Sequence, residues 1–341
     1  MIQIDGEEGG GQMLRTSMSL AVLTQQPVEV INVRGDRDNP GLRPQHLAGI
    51  RILSRMTSGF VSGGYDGSEQ VTFQPRGVPF GEHDLQIGTA GSLTLLFDTL
   101  LPLAPILEEP FSVTATGGTD VRWSPTMAYF ERVKLATLQH FGLDAEVEVH
   151  RSGFYPAGDG EASVTVRPSH LEEVELEDRG HRQSVEIVSK ASEDLEEQSV
   201  AQRQCHGAVE ALEGAGIEVS TQESSYVDTT STGTSILVFG RYDHGIAGFD
   251  NLGERGKPAE EVGAEAAEEF IAFDDGVGSV DSYLGDQLML PLAIAGGSME
   301  VPRLTNHMRT NAGVINEFGG DIQLIERDEG ALITAGGSLL S

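Results

Sequence analysis

The chain has 341 residues, enough for a large core and more than one compact unit, and a 38% hydrophobic content that suffices for a packed interior. Its formal net charge of −31 excludes the broadly basic surface of a protein that holds nucleic acid by charge alone. A single cysteine, Cys205, excludes an intrachain disulfide and any metal site built on several thiolates.

Residues 2–5 read as a short strand running into the loop Gly6-Glu7-Glu8-Gly9-Gly10-Gly11. Gln12 to Thr24 then carries Met13, Leu14, Met18, Leu20, Ala21 and Leu23 at helical spacing. Val28 to Val33 reads as a second strand, followed by the turn Asn39-Pro40-Gly41, a helix from about Pro44 to Met56 and a strand near Gln70 to Phe73. A comparable order recurs, with a helix from Ser92 to Leu103, a strand around Phe111 to Thr116, a helix from about Pro125 to Phe141 and strands at 145–151 and 162–167. Two units of one plan suggest structural duplication, although their residues do not visibly repeat.

Composition shifts near residue 177. Strands at 184–189, 217–222 and 235–240 there alternate with acidic helices at about 194–215 and 259–270. After residue 280 the earlier style returns: a helix from about Ser282 to Ala295, a strand near 298–301, a helix from about Asn311 to Phe318 and final strands. The expected fold is α/β of the α+β kind. Residues 1–176 and 274–341 are expected to form a large domain of repeated units, and 177–273 an inserted smaller α/β domain.

The 43 glycines point to many tight turns rather than long bare helices. Only Lys134, Lys190 and Lys257 are lysines, so arginine supplies nearly all positive charge, in the fork-shaped form that suits phosphate and carboxylate. An acidic chain so poor in lysine fits a salt-adapted cytoplasm, where ions screen its self-repulsion. The segment MIQIDGEEGGGQ lacks the basic and apolar stretches of a signal peptide, and no apolar run approaches the roughly 18 residues of a membrane span. A cytoplasmic protein without membrane partners is expected.

Four places carry candidate chemistry. The loop Glu8-Gly9-Gly10-Gly11-Gln12 before a helix either cradles phosphate with backbone N–H groups or is a tight strand-to-helix connection; it matches neither the Walker nor the dinucleotide spacing. Glu8 would repel phosphate unless a divalent ion, Mg²⁺ or Mn²⁺, stood between them. Arg34, Arg37 and Arg43, close to Gln45 and His46, form a cationic cluster in a chain starved of positive charge, and Arg15 lies one turn past the glycine loop. His307, in Thr305-Asn306-His307-Met308-Arg309-Thr310-Asn311 between a strand and a helix, is a packed histidine or a nucleophile towards phosphorus. Asp286-Gln287 on an otherwise apolar helix is a ligand contact or an internal capping network.

In their joint order, IDGEEGGGQMLR at 4–15, RGDRDNPGLRPQHL at 34–47, TAGSLTLLFDTLLP at 89–102, GGTDVRWSP at 117–125, GFYPAGDGE at 153–161, LGERGKPAEEVG at 252–263, YLGDQLMLPLA at 283–293 and HMRTN at 307–311 resemble the RNA 3′-terminal phosphate cyclases over nearly the whole chain. The resemblance implies a ligase that uses ATP to turn an RNA 3′-terminal phosphate into a 2′,3′-cyclic phosphate, through AMP held covalently on His307 and an RNA adenylate. It implies that Glu8 holds the metal, that Arg15, Arg34 and Arg37 face phosphates, that Gln45 and His46 line the site, and that Tyr283, Leu284, Gly285, Asp286 and Gln287 contact ATP. It also implies a large domain of two-helix, four-stranded units, of the kind shared with EPSP synthase, with a smaller inserted domain. The oligomeric state stays open between a monomer and a homodimer.

Three departures qualify it. The loop before Glu8 is two residues short. Asp98 stands where the family has a glutamine contacting the nucleotide, a place awkward near phosphates and more comfortable near adenine or ribose. Asp159 replaces a family glycine. A non-catalytic branch of the family that binds RNA in ribosome assembly is the alternative, and the His307 that such a branch lacks argues for the enzyme; an enolpyruvyl transferase would need cations for two small anions and no covalent nucleotide.

Overall fold

The computed structural model describes residues 1–340. Strand β1 (Ile2–Asp5) pairs parallel with β2 (Val28–Ile31) across helix α1 (Gly11–Thr24). Helix α2 (Pro44–Met56) then leads to the antiparallel pair β3 (Phe60–Ser62) and β4 (Val71–Gln74), giving the order β1-β2-β4-β3. Helix α1 is buried all round from Thr16 to Leu23, with Met18 and Leu20 in the core, and it ends where Gln25 turns left-handed at φ 54°.

The plan repeats. Strand β5 (Gly81–Gln86), α3 (Leu93–Leu100), β6 (Phe111–Gly117), β7 (Ala145–Arg151) and β8 (Gly160–Val166) form a sheet of order β5-β6-β8-β7. Its second crossover is one helix in three parts, α4 (Met127–Tyr129), a π turn (Phe130–Leu135) and α5 (Ala136–His140). Strand β5, GEHDLQ, is absent from the sequence reading because only Leu85 in it is buried, which leaves no apolar alternation to see.

A third unit opens with β9 (Val174–Leu176) and is then interrupted. Strand β10 (Arg182–Ser192), α6 (Val200–Gly214), β11 (Thr221–Val227), β12 (Thr234–Tyr242), β13 (Ile246–Leu252) and α7 (Ala259–Asp274) build a separate sheet of order β11-β10-β12-β13. They have their own core, which includes Ile187, Leu212, Val238, Phe249 and Phe270. Helices α6 and α7 touch backbone to backbone, since a Cβ on Gly263 would stand 1.9 Å from the carbonyl oxygen of Gln204. The acidic helix begins at Val200, later than the sequence suggested, because Glu193–Gln198 winds as a 3₁₀ turn ended by a left-handed Ser199.

Helix α8 (Ser282–Ala295), β14 (Gly297–Val301), α9 (Asn306–Glu317), β15 (Gln323–Glu326) and β16 (Ala331–Ala335) then complete the third sheet, of order β15-β16-β14-β9. The sequence reading counted two units; the third is split by the interruption between its first strand and first helix. Helix α9 starts at Asn306, five residues before the expected start, because Thr305 Oγ1 accepts a hydrogen bond from the Met308 backbone and caps it. His307 therefore lies inside the first turn of a helix and not ahead of it.

A buried acidic seam joins the interrupting unit to the others. Asp281 caps α8 by accepting from the Tyr283 and Leu284 amides, and also receives the Tyr129 hydroxyl and the Gly248 amide of β13. Asp250 of β13 accepts from the Thr126 amide at 2.6 Å. Burial pushes both carboxyls up to about 6.

Candidate active site

Strand β1 releases the chain into the glycine loop, and Gly11 opens α1 directly against His46. A Cβ at Gly11 would lie 2.3 Å from Nε2 of that ring and 3.4 Å from Nη1 of Arg15. His46 accepts the Arg43 amide on Nδ1 at 3.0 Å, so its ring hydrogen sits on Nε2, the atom that faces the loop. Burial, reinforced by Arg15, Arg34 and Arg43, lowers its pKa to about 3, so it is a neutral donor at pH 7.

Arg37 is exposed, with its guanidinium beside Gly10. Arg34, left-handed at φ 57°, turns inward and donates to the carbonyls of Asn39 and Gly41. It braces the loop that carries Arg37. Arg43 donates to the Pro40 carbonyl, and Gln45 donates to Ser92 of the second unit at 3.0 Å.

The other wall comes from α1, α3, α8 and α9. Asp286 on α8 receives the side-chain amide of Gln12 on Oδ2 at 2.6 Å, and His307 Nδ1 lies 3.9 Å from the same oxygen. Burial raises the Asp286 pKa, while Gln12, His307, Arg15 and Lys134 pull against it. The His307 side chain is 59% exposed in the first turn of α9, where free backbone N–H groups favour an anion. Asn311, one turn on and 3% exposed, donates weakly to the Asp286 carbonyl. Burial lowers the Arg15 pKa to about 10, with Asp286 opposing, so the guanidinium stays charged. Lys134 projects from the π turn to contact the Asp98 carboxylate; burial, and Arg15 after it, push its pKa down, while Asp286 pulls the other way.

Two adjoining hollows result. Arg15, Gln45, His46, Gly49 and Leu95 line one; Gln12, Arg15, Asp98, Asp286, Gln287 and Asn311 line the other. Arg15 and Thr99 belong to both. Tyr283 is 61% exposed on the first turn of α8, whereas Leu284 faces the core and Gly285 packs against Val301 and Met308. Side chains of α8 therefore reach the cleft from Asp286 and Gln287, whereas Leu284 and Gly285 are turned away and Tyr283 stands among the charges of Glu269, Asp250, Asp281 and Arg303. Asp98 is bound to Lys134, an arrangement with no local trace in the sequence.

Six buried side-chain polar atoms lack a hydrogen-bond partner among the described residues. Four of them, Arg15 Nε, Gln45 Oε1, Asp286 Oδ1 and Asn311 Oδ1, belong to residues that line these hollows. Orphaned polar atoms are costly in a folded protein and uncommon outside places that meet a ligand. Glu8 is exposed on the loop, and among the described residues no group of three or more His, Cys, Asp or Glu side chains is arranged to hold a metal. A divalent ion at Glu8 would take its remaining ligands from phosphate and water, which suits Mg²⁺. Gln12 and Asn311 stand in segments singled out in the sequence but had no role assigned there, and Lys134 was read only as one of three lysines; its place within the helical run FERVKL was the one available signal.

A family model described as RNA 3′-terminal phosphate cyclase matches residues 6–322. An RNA 3′-terminal phosphate cyclase of Halobacterium salinarum is 39% identical over 97% of this chain and 98% of its own length. One of Pyrococcus furiosus is 40% identical over 94% of each. Among solved structures, the enolpyruvyl transferase NikO of Streptomyces tendae matches 97% of this chain and 48% of its own at 11% identity, with a TM-score of 0.37.

Proposed function

The chain belongs to the RNA 3′-terminal phosphate cyclase family, and on that premise we propose that it cyclises RNA 3′-phosphate ends with ATP, using His307 as a covalent nucleophile. A ring nitrogen of His307 attacks the α-phosphorus of ATP; the N–P bond forms as the bond to the bridging oxygen breaks, and pyrophosphate leaves with that electron pair. A 3′-phosphate oxygen of RNA then displaces His307 from the α-phosphorus, giving an RNA adenylate. The neighbouring 2′-hydroxyl attacks the activated 3′-phosphorus, loses its proton and expels AMP. Each step is a displacement at phosphorus, in which positioning and charge neutralisation supply most of the catalysis.

The observation that carries this reading is the gathering of four orphaned polar atoms around the hollows beside an exposed histidine. Arg15, Arg37 and the Nε2–H of His46 are the donors available to phosphate oxygens, with Arg34 and Gln45 holding that wall in shape. Asp286 and Gln287 on α8, with the exposed Tyr283 one turn before them, are the candidates for the nucleoside. A divalent ion, Mg²⁺ or Mn²⁺, held through Glu8 would neutralise phosphate charge. With Nδ1 near Asp286, Nε2 is the ring nitrogen left for phosphorus. The acidic, lysine-poor composition supports work in a salt-rich cytoplasm; no helix of the described residues is long and apolar enough to cross a membrane.

The test is incubation with α-labelled ATP and a divalent metal at high salt. An acid-labile, alkali-stable adduct that His307→Ala abolishes is expected. No adduct across a range of metals and salt would move the reading to a non-catalytic RNA-binding member. A 3′-phosphate oligoribonucleotide should become phosphatase-resistant, and one with a 2′-deoxy terminus should not.

A further inference from the structure

Lys134 is 1% exposed in a chain of net charge −31 with three lysines, and nothing in the reaction above uses it. It projects from the π turn Phe130–Leu135, a widened winding that recurs at functional positions. Its Nζ meets the Asp98 carboxylate of α3 and has no further polar partner. The Asp98 side chain is 25% exposed and lines the same hollow as Gln12, Arg15, Asp286 and Gln287. That hollow, the one proposed for the nucleoside, thus carries two carboxylates, Asp98 and Asp286, in the path of a substrate that is itself a polyanion. Arg15 can offset only one of them.

The lysine approaches Asp98 from the protein interior, and the open side of the carboxylate is left to the cleft. We infer that Lys134 is a positioning residue that neutralises Asp98 from behind, so that the cleft admits ATP with its charged phosphate chain. The inference rests on the reading that this cleft binds ATP. An unpaired Asp98 in a partly desolvated wall would repel the phosphate chain of an entering nucleotide, whereas the pair is neutral overall and fixed in place. An ammonium placed in the cleft would bind phosphate itself; one behind the carboxylate changes what the carboxylate does.

The experiment compares wild type, Lys134→Met and the double variant Lys134→Met, Asp98→Asn as full chains at one high salt concentration. Two quantities are read: Kd for ATP by calorimetric titration, and adduct formation at saturating ATP. Loss of the lysine alone should raise Kd about tenfold or more, and the double variant should return to within about threefold of wild type, because a neutral isostere replaces the pair. A folded Lys134→Met with wild-type Kd overturns the inference, as does a folded double variant that binds no better than the single one. If Lys134→Met does not fold, the double variant decides: near-wild-type Kd supports the inference, and a weakening of about tenfold or more overturns it. Wild type that binds ATP without forming an adduct sinks the covalent step alone and leaves Kd to judge Lys134. Wild type that binds no ATP overturns both.

Discussion

Nδ1 of His307 lies 3.9 Å from Oδ2 of Asp286, within ion-pair range and beyond a hydrogen bond. The same oxygen is fixed by Gln12 at 2.6 Å, so the carboxylate is anchored by α1 while the ring, exposed on the first turn of α9, can turn towards it. Closing that gap would orient the imidazole and stabilise the charge it acquires on attacking phosphorus. Asp286→Ala should therefore slow adduct formation roughly 100-fold. Single-turnover rates with labelled ATP read this directly, and a variant as fast as wild type would remove Asp286 from the orienting role.

His46 gives a pH signature of definite sign. Its pKa falls from 6.5 in the unfolded chain to about 3 in the folded one, so between those values the unfolded chain binds one more proton. Stability then rises with pH across the window and is lost as pH falls below 6.5. From pH 7 to 5 the wild type should lose about 2 kcal/mol relative to His46→Gln, which has no such proton to bind. Denaturant melts at the two pH values measure it, and equal pH slopes for the two proteins would contradict a buried neutral ring.

Asp250 acts in the opposite direction. Burial raises its pKa from 3.8 to about 6, so between these values the folded state holds the extra proton, and stability falls as pH rises through 6. Over the same drop from pH 7 to 5, the wild type should gain about 1.4 kcal/mol relative to Asp250→Asn. A difference that stays flat over that range would show that the acidic seam between β13 and α4 is wetter than its burial implies.

These assignments show where sequence patterns suffice. Helix α8 is legible from end to end, because Asp281 and Ser282 mark its start and the apolar run continues to Ala295. The family glycine expected at Asp159 also finds its reason, since that residue stands at φ 52°, in the left-handed region that glycine enters freely. Helix α9 was misplaced because apolar periodicity starts late in it, while the Thr305 cap that begins it needs no apolar residue. The pairing of Gln12 with Asp286 spans 274 positions and leaves no local trace. The same holds for Asp98 and Lys134, whose meeting depends on how α3 and the π turn lie against each other.

Gly11 offers the sharpest test of the phosphate wall. Its backbone does not require the left-handed region, and alanine is the better helix former by about 1 kcal/mol, so Gly11→Ala has no local reason to unfold the chain. Yet its Cβ would stand 2.3 Å from Nε2 and 2.9 Å from Cδ2 of His46, a ring held in place by the Arg43 amide. The ring must leave, and with it the neutral donor at the mouth of α1. ATP affinity should fall about tenfold, the loss of one good hydrogen bond to a charged group. Adding His46→Ala to Gly11→Ala should cost little more, because both changes remove the same contact. Calorimetric titration of the two single variants and the double variant decides it: wild-type affinity in Gly11→Ala, or full additivity of the two losses, would show that His46 does not meet the nucleotide.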